Sequence, residues 1–235
     1  MSYEISDIAT AGMRKLSQLD YMANNLANVA TPGFKAELLY FSPETTSSTE
    51  HISTYNPSVI VDYAQGAMQK TDNSLDVAIE GNGFFAIKTR DEVAYTRQGN
   101  FTINKNNELV TKSGDYVLGE TGKITIKGDT INIDQRGFIK VDGNQVDKLK
   151  IVNFDNLKTL IKKGEGFFVD PGGAGLKKME NPELRAGYLE ASNVKVIGEM
   201  IEMIDGQRCF EGYQKVIQTS ADLDKLSTNR VGRLV

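Results

Sequence analysis

The sequence predicts an α+β protein in which long N- and C-terminal helices pair as a coiled-coil-like axial domain, with a central all-β antiparallel domain between them. Three observations carry this. Apolar residues at both chain ends recur at helical spacing, the middle of the chain switches to a period of two, and fifteen of the 22 glycines lie between 81 and 187, where tight turns would need them.

The first helix is expected over residues 3–29. Ile5, Ile8, Met13, Leu16, Leu19, Met22, Leu26 and Val29 fall on one stripe, with Arg14, Lys15, Gln18, Asn24 and Asn25 between them. Such spacing lines one helical face, and the helix would be roughly 40 Å long. Thr31-Pro32-Gly33 ends it, since proline cannot continue a helix and glycine tolerates the turn. Residues 42–58 hold nine Ser or Thr, with Pro43 and Pro57 near the two ends. That composition predicts an extended arm with little fixed structure when isolated.

From Ser74 to Phe154, short apolar runs alternate with turn residues. Asp76 to Ile79, Phe84 to Ile87, Tyr95 to Ile103, Tyr116 to Leu118, Ile124 to Ile126, Thr130 to Ile133, Phe138 to Val141 and Lys148 to Phe154 are separated by turns such as Gly81-Asn82-Gly83 and Asp142-Gly143-Asn144. The pattern reads as an antiparallel meander folded as a sandwich or open barrel. A final helix is expected from Val194 to Leu226, capped by Ser192 or Asn193. Val196, Met200, Met203, Phe210, Tyr213, Ile217, Leu223 and Leu226 share its broad face, and Gly198, Gly206 and Gly212 lie inside it. Each interior glycine costs about 1 kcal/mol relative to alanine, so this helix needs a partner along its length. Pairing the two ends would cover only part of so wide a face, which leaves surface for other subunits. The division expected is 1–34 for the N-terminal helix, 35–73 for the arm, 74–187 for the β domain and 188–235 for the C-terminal helix.

Composition removes much enzymology. A single cysteine, Cys209, allows no intramolecular disulfide, and with one histidine, His51, no familiar zinc ligand set is available. The net charge of -4 offers no footprint for nucleic acid. No apolar run reaches the roughly 18 residues of a membrane span, and Glu4 and Asp7 stand where a signal peptide is basic. The chain is therefore expected to be cytosolic, or to leave the cell without a cleaved signal.

Individual motifs favour plain readings. Gly81-Asn82-Gly83-Phe84-Phe85-Ala86 matches a dinucleotide fingerprint by letters, but Phe84 to Ile87 reads as strand, so a hairpin turn is expected and no cofactor. His51 sits in the arm without a fixed partner, and Cys209 is expected to pack inside the last helix. Asp76 and Glu80 flank a strand and could line a hydrolytic cleft, yet alternating acids usually form a wet face. Asn24, Asn25 and Asn28 lie close together at a helix end, where amides lower helix propensity and imply specific hydrogen bonds. Those bonds would go to a neighbouring subunit's backbone or to the helix's own cap.

Ala23-Asn24-Asn25-Leu26-Ala27-Asn28 followed by Thr31-Pro32-Gly33-Phe34-Lys35 resembles the N-terminal signature of the bacterial flagellar rod and hook family. Leu75 to Phe85, Tyr95-Thr96-Arg97-Gln98-Gly99-Asn100-Phe101, and Leu189 to Val194 with Met203-Ile204 and Gln207-Arg208 are similar to that family's other motifs, in order, over about 1–41, 74–119 and 186–229. The resemblance implies a helically assembled structural subunit of the flagellar basal-body rod, without enzyme activity, cofactor or metal. It implies type III export without a cleaved signal peptide, and a place in the periplasmic span of the rod. Copies of itself, other rod proteins, ring proteins and the export apparatus would be its partners. The chain length is closer to a proximal than a distal rod protein, and much shorter than a hook protein. Leu16, Leu19, Ala23, Asn24, Asn25, Leu26, Asn28, Asn193, Val196, Met200, Met203, Phe210, Tyr213 and Ile217 are the expected subunit contacts. The competing readings are a β-domain binding module with helical dimerisation ends and a carboxylate hydrolase.

Overall fold

The structure, a computed structural model, describes residues 2–43, 55–164 and 166–231. It divides into two compact units. A helical unit comprises Met1–Ala27, Glu37–Ile60 and Lys195–Val235, and a β unit comprises Asn28–Ala36 and Val61–Val194.

In the helical unit, α1 (Ser2–Ala27) packs on α2 (Val196–Val231) and on β1 (Glu37–Pro43), which forms a two-stranded sheet with β2 (Tyr55–Val61). The two helices approach through glycine. Gly12 sits under Tyr213 and Phe210, whose nearest atoms lie 3.6 and 3.9 Å from where its Cβ would be, and Gly206 faces Leu19. Meanwhile Met13 is 70% exposed and Leu16 45%, and Met200, Leu223 and Leu226 are exposed as well. A coiled-coil seam would bury large apolar knobs at such positions.

The expected fold class is corrected accordingly. The helical ends do not form a coiled-coil-like axial domain, because glycine notches receive Leu19, Phe210 and Tyr213 while Met13, Leu16, Met200 and other large apolar side chains stay outside. The β-rich middle of the chain agrees with the expectation and makes one compact unit of several sheets, while β1 and most of β2, at the two ends of the Ser/Thr-rich segment 42–58, belong to the helical unit. The expected cap also moves: α2 begins at Val196, beyond Ser192 and Asn193, and the Glu199 N–H donates to the Lys195 carbonyl in its first turn.

The β unit contains β3 (Met68–Lys70), β4 (Val77–Glu80), β5 (Phe84–Lys88), β6 (Val93–Thr96), β7 (Thr102–Ile103), β8 (Leu109–Val110), β9 (Tyr116–Val117), β10 (Ile131–Ile133), β11 (Phe138–Val141), β12 (Asn144–Lys148), β13 (Ile151–Phe154), β14 (Ile161–Lys163), β15 (Phe167–Val169), β16 (Leu176–Lys178), β17 (Glu183–Ala186) and β18 (Tyr188–Glu190). The largest sheet runs β14-β15-β6-β5-β9-β8-β7, with β13 joining β5 to β16. A second sheet is β10-β11-β12, and β17-β4 and β18-β3 are two-stranded. Every register is antiparallel, as in Phe85 opposite Thr96 and Ile87 opposite Ala94.

β5 is central because both of its faces are apolar. Phe85 enters a core with Val77, Ile79, Phe101, Leu109, Ile139, Leu149 and Ile151. Its neighbour Phe84 enters another with Tyr95, Val152, Phe154 and Phe168. Alternate side chains on a strand point to opposite faces, so the consecutive run Phe84 to Ile87 marks a strand covered on both sides. Asp142 and Gly143, with φ of 50° and 86°, turn β11 into β12, as a two-residue hairpin of this type requires. Gly81-Asn82-Gly83 does not make the expected hairpin: β4 pairs with β17 while β5 pairs with β6, β9 and β13, so this turn carries the chain from one sheet to another. The outer strands β14 and β16 read Ile-Lys-Lys and Leu-Lys-Lys, and Lys177 and Lys178 pair with Asp155 and Glu120 at 2.7 and 3.0 Å.

Candidate functional site

The asparagines of the first motif act inside the chain. Asn25 is buried and treats Glu37 as a neighbouring strand would: its Oδ1 accepts from the Glu37 N–H at 2.9 Å and its Nδ2 donates to the Glu37 carbonyl at 2.8 Å. Nδ2 also lies 3.3 Å from Glu199 Oε1. These bonds fix the start of β1 against α1 and α2 within the helical unit. They differ from both expected uses, since the partner is neither another subunit nor the helix's own end. Burial pushes the Glu199 carboxyl above its ordinary range, the Asn25 hydrogen bond works against that, and nearby Glu202 adds to it.

In the β unit, Asn193 has the same role on the adjoining residue. Its Oδ1 accepts from the Ala36 N–H at 2.8 Å, and its Nδ2 donates to the carbonyls of Asp62 and Ala64 at 2.8 and 3.1 Å. Asn28 is buried and accepts from the Thr31 hydroxyl at 3.2 Å. Between them lies a charge cluster that the residue pattern does not single out. Lys35 Nζ is 2.6 Å from Glu190 Oε1 and donates to the Ala64 carbonyl at 2.6 Å. Arg97 Nη1 lies 3.3 Å from Glu190 Oε2, and the Gly66 N–H donates to Oε1 at 3.0 Å. The Lys35 and Glu190 side chains are each 1% exposed. Burial pulls Lys35 and Arg97 below their ordinary basic ranges, and Glu190 opposes this for both. Arg97 sets its guanidinium 5.2 Å from the centre of the Phe84 ring, and its Nε is buried without a hydrogen-bond partner. Lys35, Arg97 and Glu190 each lie inside a family-like motif, yet sequence spacing could not pair residues 155 and 93 positions apart.

The remaining expected contact residues lie in the helical unit. Leu16, Ala23, Asn24 and Met200 are exposed, while Leu19, Leu26, Val196, Met203, Phe210, Tyr213 and Ile217 are half-buried. Leu19 meets Gly206, and Phe210 and Tyr213 meet Gly12. Ile197, at 76% exposed, and Ile201, Ile204 and Val216 add to the open apolar surface of α2. They belong to the same helical run but fall between the positions read as one face. On the strands, Leu38, Tyr40, Val59 and Ile60 are exposed too.

Neither of two cavities among the described residues gathers the groups of a reaction centre. A pocket of about 130 Å³ beside Tyr21, Glu37, Glu199 and Glu202 is smaller than an ordinary ligand site. An open groove includes Glu80 and Arg185, but these already form a two-bond ion pair at 2.7 Å. Asp76 is buried and accepts from Asn73 Nδ2 at 3.2 Å. Cys209 is exposed rather than packed, and its hydrogen bond with Tyr213 pushes that phenol upwards. His51 lies outside the described residues. Among the described residues no three His, Cys, Asp or Glu side chains group as metal ligands, and no helix is long and apolar enough to cross a membrane.

Known proteins match the chain along most of its length. Residues 78–141 match the D1 domain of the flagellar hook protein FlgE/F/G family model, and 185–230 match the C-terminal model of flagellar basal body rod FlgEFG proteins. The flagellar basal-body rod protein FlgF of Caulobacter vibrioides is 31% identical over 227 residues, covering 92% of this chain and 93% of that protein. The rod protein FlgG of Buchnera aphidicola is 33% identical over 241 residues, covering 89% and 92%. FlgG of Bacillus subtilis is 32% identical over 249 residues, covering 91% and 93%. With identity of this extent over nearly the whole chain, the protein belongs to the flagellar basal-body rod protein family and is a structural subunit of the rod.

Proposed function

We propose that the chain is a proximal rod subunit that polymerises helically with copies of itself and with other flagellar basal-body proteins into a torque-transmitting shaft. It has no enzymatic activity, works in the periplasmic span of the basal body, and reaches it through the flagellar export apparatus without a cleaved signal. The observation that carries the assembly reading is the exposed apolar surface of the helical unit, from Met13 and Leu16 on α1 to Ile197, Met200, Leu223 and Leu226 on α2. Exposed apolar surface of this extent marks a contact with another molecule, and heterologous contacts that do not close generate helical polymers. Leu16 and Met200 are the expected contact residues most open to a neighbour. Leu19, Phe210 and Tyr213 support the helix pair beneath them. The proximal assignment carries over the motif resemblance set out in the sequence, and is the part of the proposal that the basal-body experiment below decides.

The test is Leu16→Asp and Met200→Asp, each introduced into a bacterium lacking its own copy of the gene. Restored motility should fall at least tenfold while the purified variant keeps its far-ultraviolet circular dichroism. A folded variant that restores full motility would refute the assembly reading. Basal bodies isolated from the strain without the gene should lack the rod from its proximal part outwards; a rod stub missing only its distal part would instead identify a distal subunit.

A further inference from the structure

We infer that residues 33–36, 64–67 and 188–191 form one strap of the β unit whose three segments come apart from one another in a single local opening, with the Glu190 carboxylate as its latch. Three observations separate the strap from the rest of that unit. Phe34, Ala36 and Val194, with Val29 beside them, make a small apolar cluster apart from the two cores around β5. β3 and β18 form a two-stranded sheet outside the largest one. Finally, one side chain ties all the pieces together. Glu190 takes the Lys35 ammonium and the Gly66 N–H on Oε1 and the Arg97 guanidinium on Oε2, while its backbone carbonyl takes the Gly33 N–H at 2.7 Å.

The pieces fit only where side chains are missing. A Cβ on Gly66 would sit 2.0 Å from the Ala191 carbonyl oxygen, and one on Gly33 would sit 2.5 Å from the Arg97 carbonyl carbon. The closed strap therefore requires glycine at both positions. The latch is electrostatically one-sided: two buried cations share one carboxylate contact, so losing that charge sets Lys35 and Arg97 against each other in a poorly solvating interior. The strap then opens while the cores around β5 keep their apolar contacts, because its own apolar cluster is small and separate from theirs, and local opening follows the segments with few buried apolar contacts. Opening exposes Phe34, Ala36 and Val194, so the latch decides whether that apolar set is presented or hidden. This inference concerns the β unit alone and stands apart from the proximal-rod reading.

Native-state hydrogen exchange on the full chain tests it, comparing wild type with Glu190→Gln, which keeps the side chain's shape and removes its charge. Protection at Gly33, Gly66 and Ala191 should fall together by about 100-fold, the order expected when one partner of a buried ion pair is lost. Val77–Glu80 and Phe84–Lys88 should keep theirs. Equal loss across Phe84–Lys88 would make Glu190 part of the global fold, and no loss at Gly33, Gly66 and Ala191 would show that it latches nothing; either result overturns the inference. Should the variant not fold, wild-type exchange in mild urea decides the matter. The strap amides should share an opening that precedes that of β5, and exchange only through global unfolding would refute the strap.

Discussion

Replacing Asn25 with alanine removes a side chain that stands in for a β-strand. Two hydrogen bonds to the Glu37 backbone, at 2.9 and 2.8 Å, and one to Glu199 disappear. A typical internal hydrogen bond contributes about 1 kcal/mol net, and a buried group left without a partner costs about 1–3 kcal/mol. Glu37 is only half-buried, so water can reach part of the gap, which places the expected loss at about 2–3 kcal/mol. Both α-helices belong to the helical unit, so circular dichroism at 222 nm reports that unit. With a urea dependence of about 2–3 kcal/mol per molar, its midpoint should fall by about 1 M. Asn25→Asp should lose at least as much at neutral pH, because it keeps an acceptor for the Glu37 N–H but sets a buried carboxylate against the Glu199 carboxylate and the Glu37 carbonyl. A midpoint for Asn25→Ala that matches wild type would refute the reasoning and return this residue to the candidate subunit contacts.

Two further outcomes concern single glycines. Gly33 has a φ of +67°, and a Cβ there would press on the Arg97 backbone; Gly33→Ala should cost about 3 kcal/mol or more. Gly212 has open space around its missing Cβ, so Gly212→Ala should stabilise α2 by up to about 1 kcal/mol; thermal unfolding of the pair checks the contrast. Glu199 adds a pH dependence. Its carboxyl is raised in the folded chain, so its stabilising contribution is complete below the ordinary carboxylate range and fades as pH rises through the folded value. Glu199→Gln should therefore match wild type more closely in acid and exceed it in stability at neutral pH, as read by urea midpoints at both.

Much of the local structure was legible in the residues. The stripe from Ile5 to Leu26 indicates a helix because its period is close to 3.6, and Phe84 to Ile87 indicates a strand because four apolar residues lie between turn formers. What was hidden is non-local. The serines and threonines of the arm concealed β1 and β2, although Leu38 and Tyr40, and Val59 with Ile60, supply the apolar residues of a strand. The width of the apolar face on α2 pointed to surface left uncovered by the helix pair, and much of that helix is indeed exposed; the spacing did not show that Gly12 and Gly206 make the contact between the helices. The asparagines announced specific hydrogen bonds without naming the partner. Asn25 reaches Glu37 across a turn, and Asn193 reaches Ala36 across 157 positions. Composition carries no record of such distances, so Lys35, Arg97 and Glu190 read as ordinary charges until the fold joined them.

The lysine pairs on β14 and β16 bear on how identical copies crowd together. An outermost strand presents unpaired backbone groups that a second copy could match, fusing chains sideways into sheet-like aggregate. Here two such margins meeting would bring Lys162 and Lys163, or Lys177 and Lys178, against their own likenesses, and ammonium groups repel at that spacing. A shaft built from many copies must lengthen without thickening or annealing to its neighbours. Charged margins on the β unit oppose that lateral fusion.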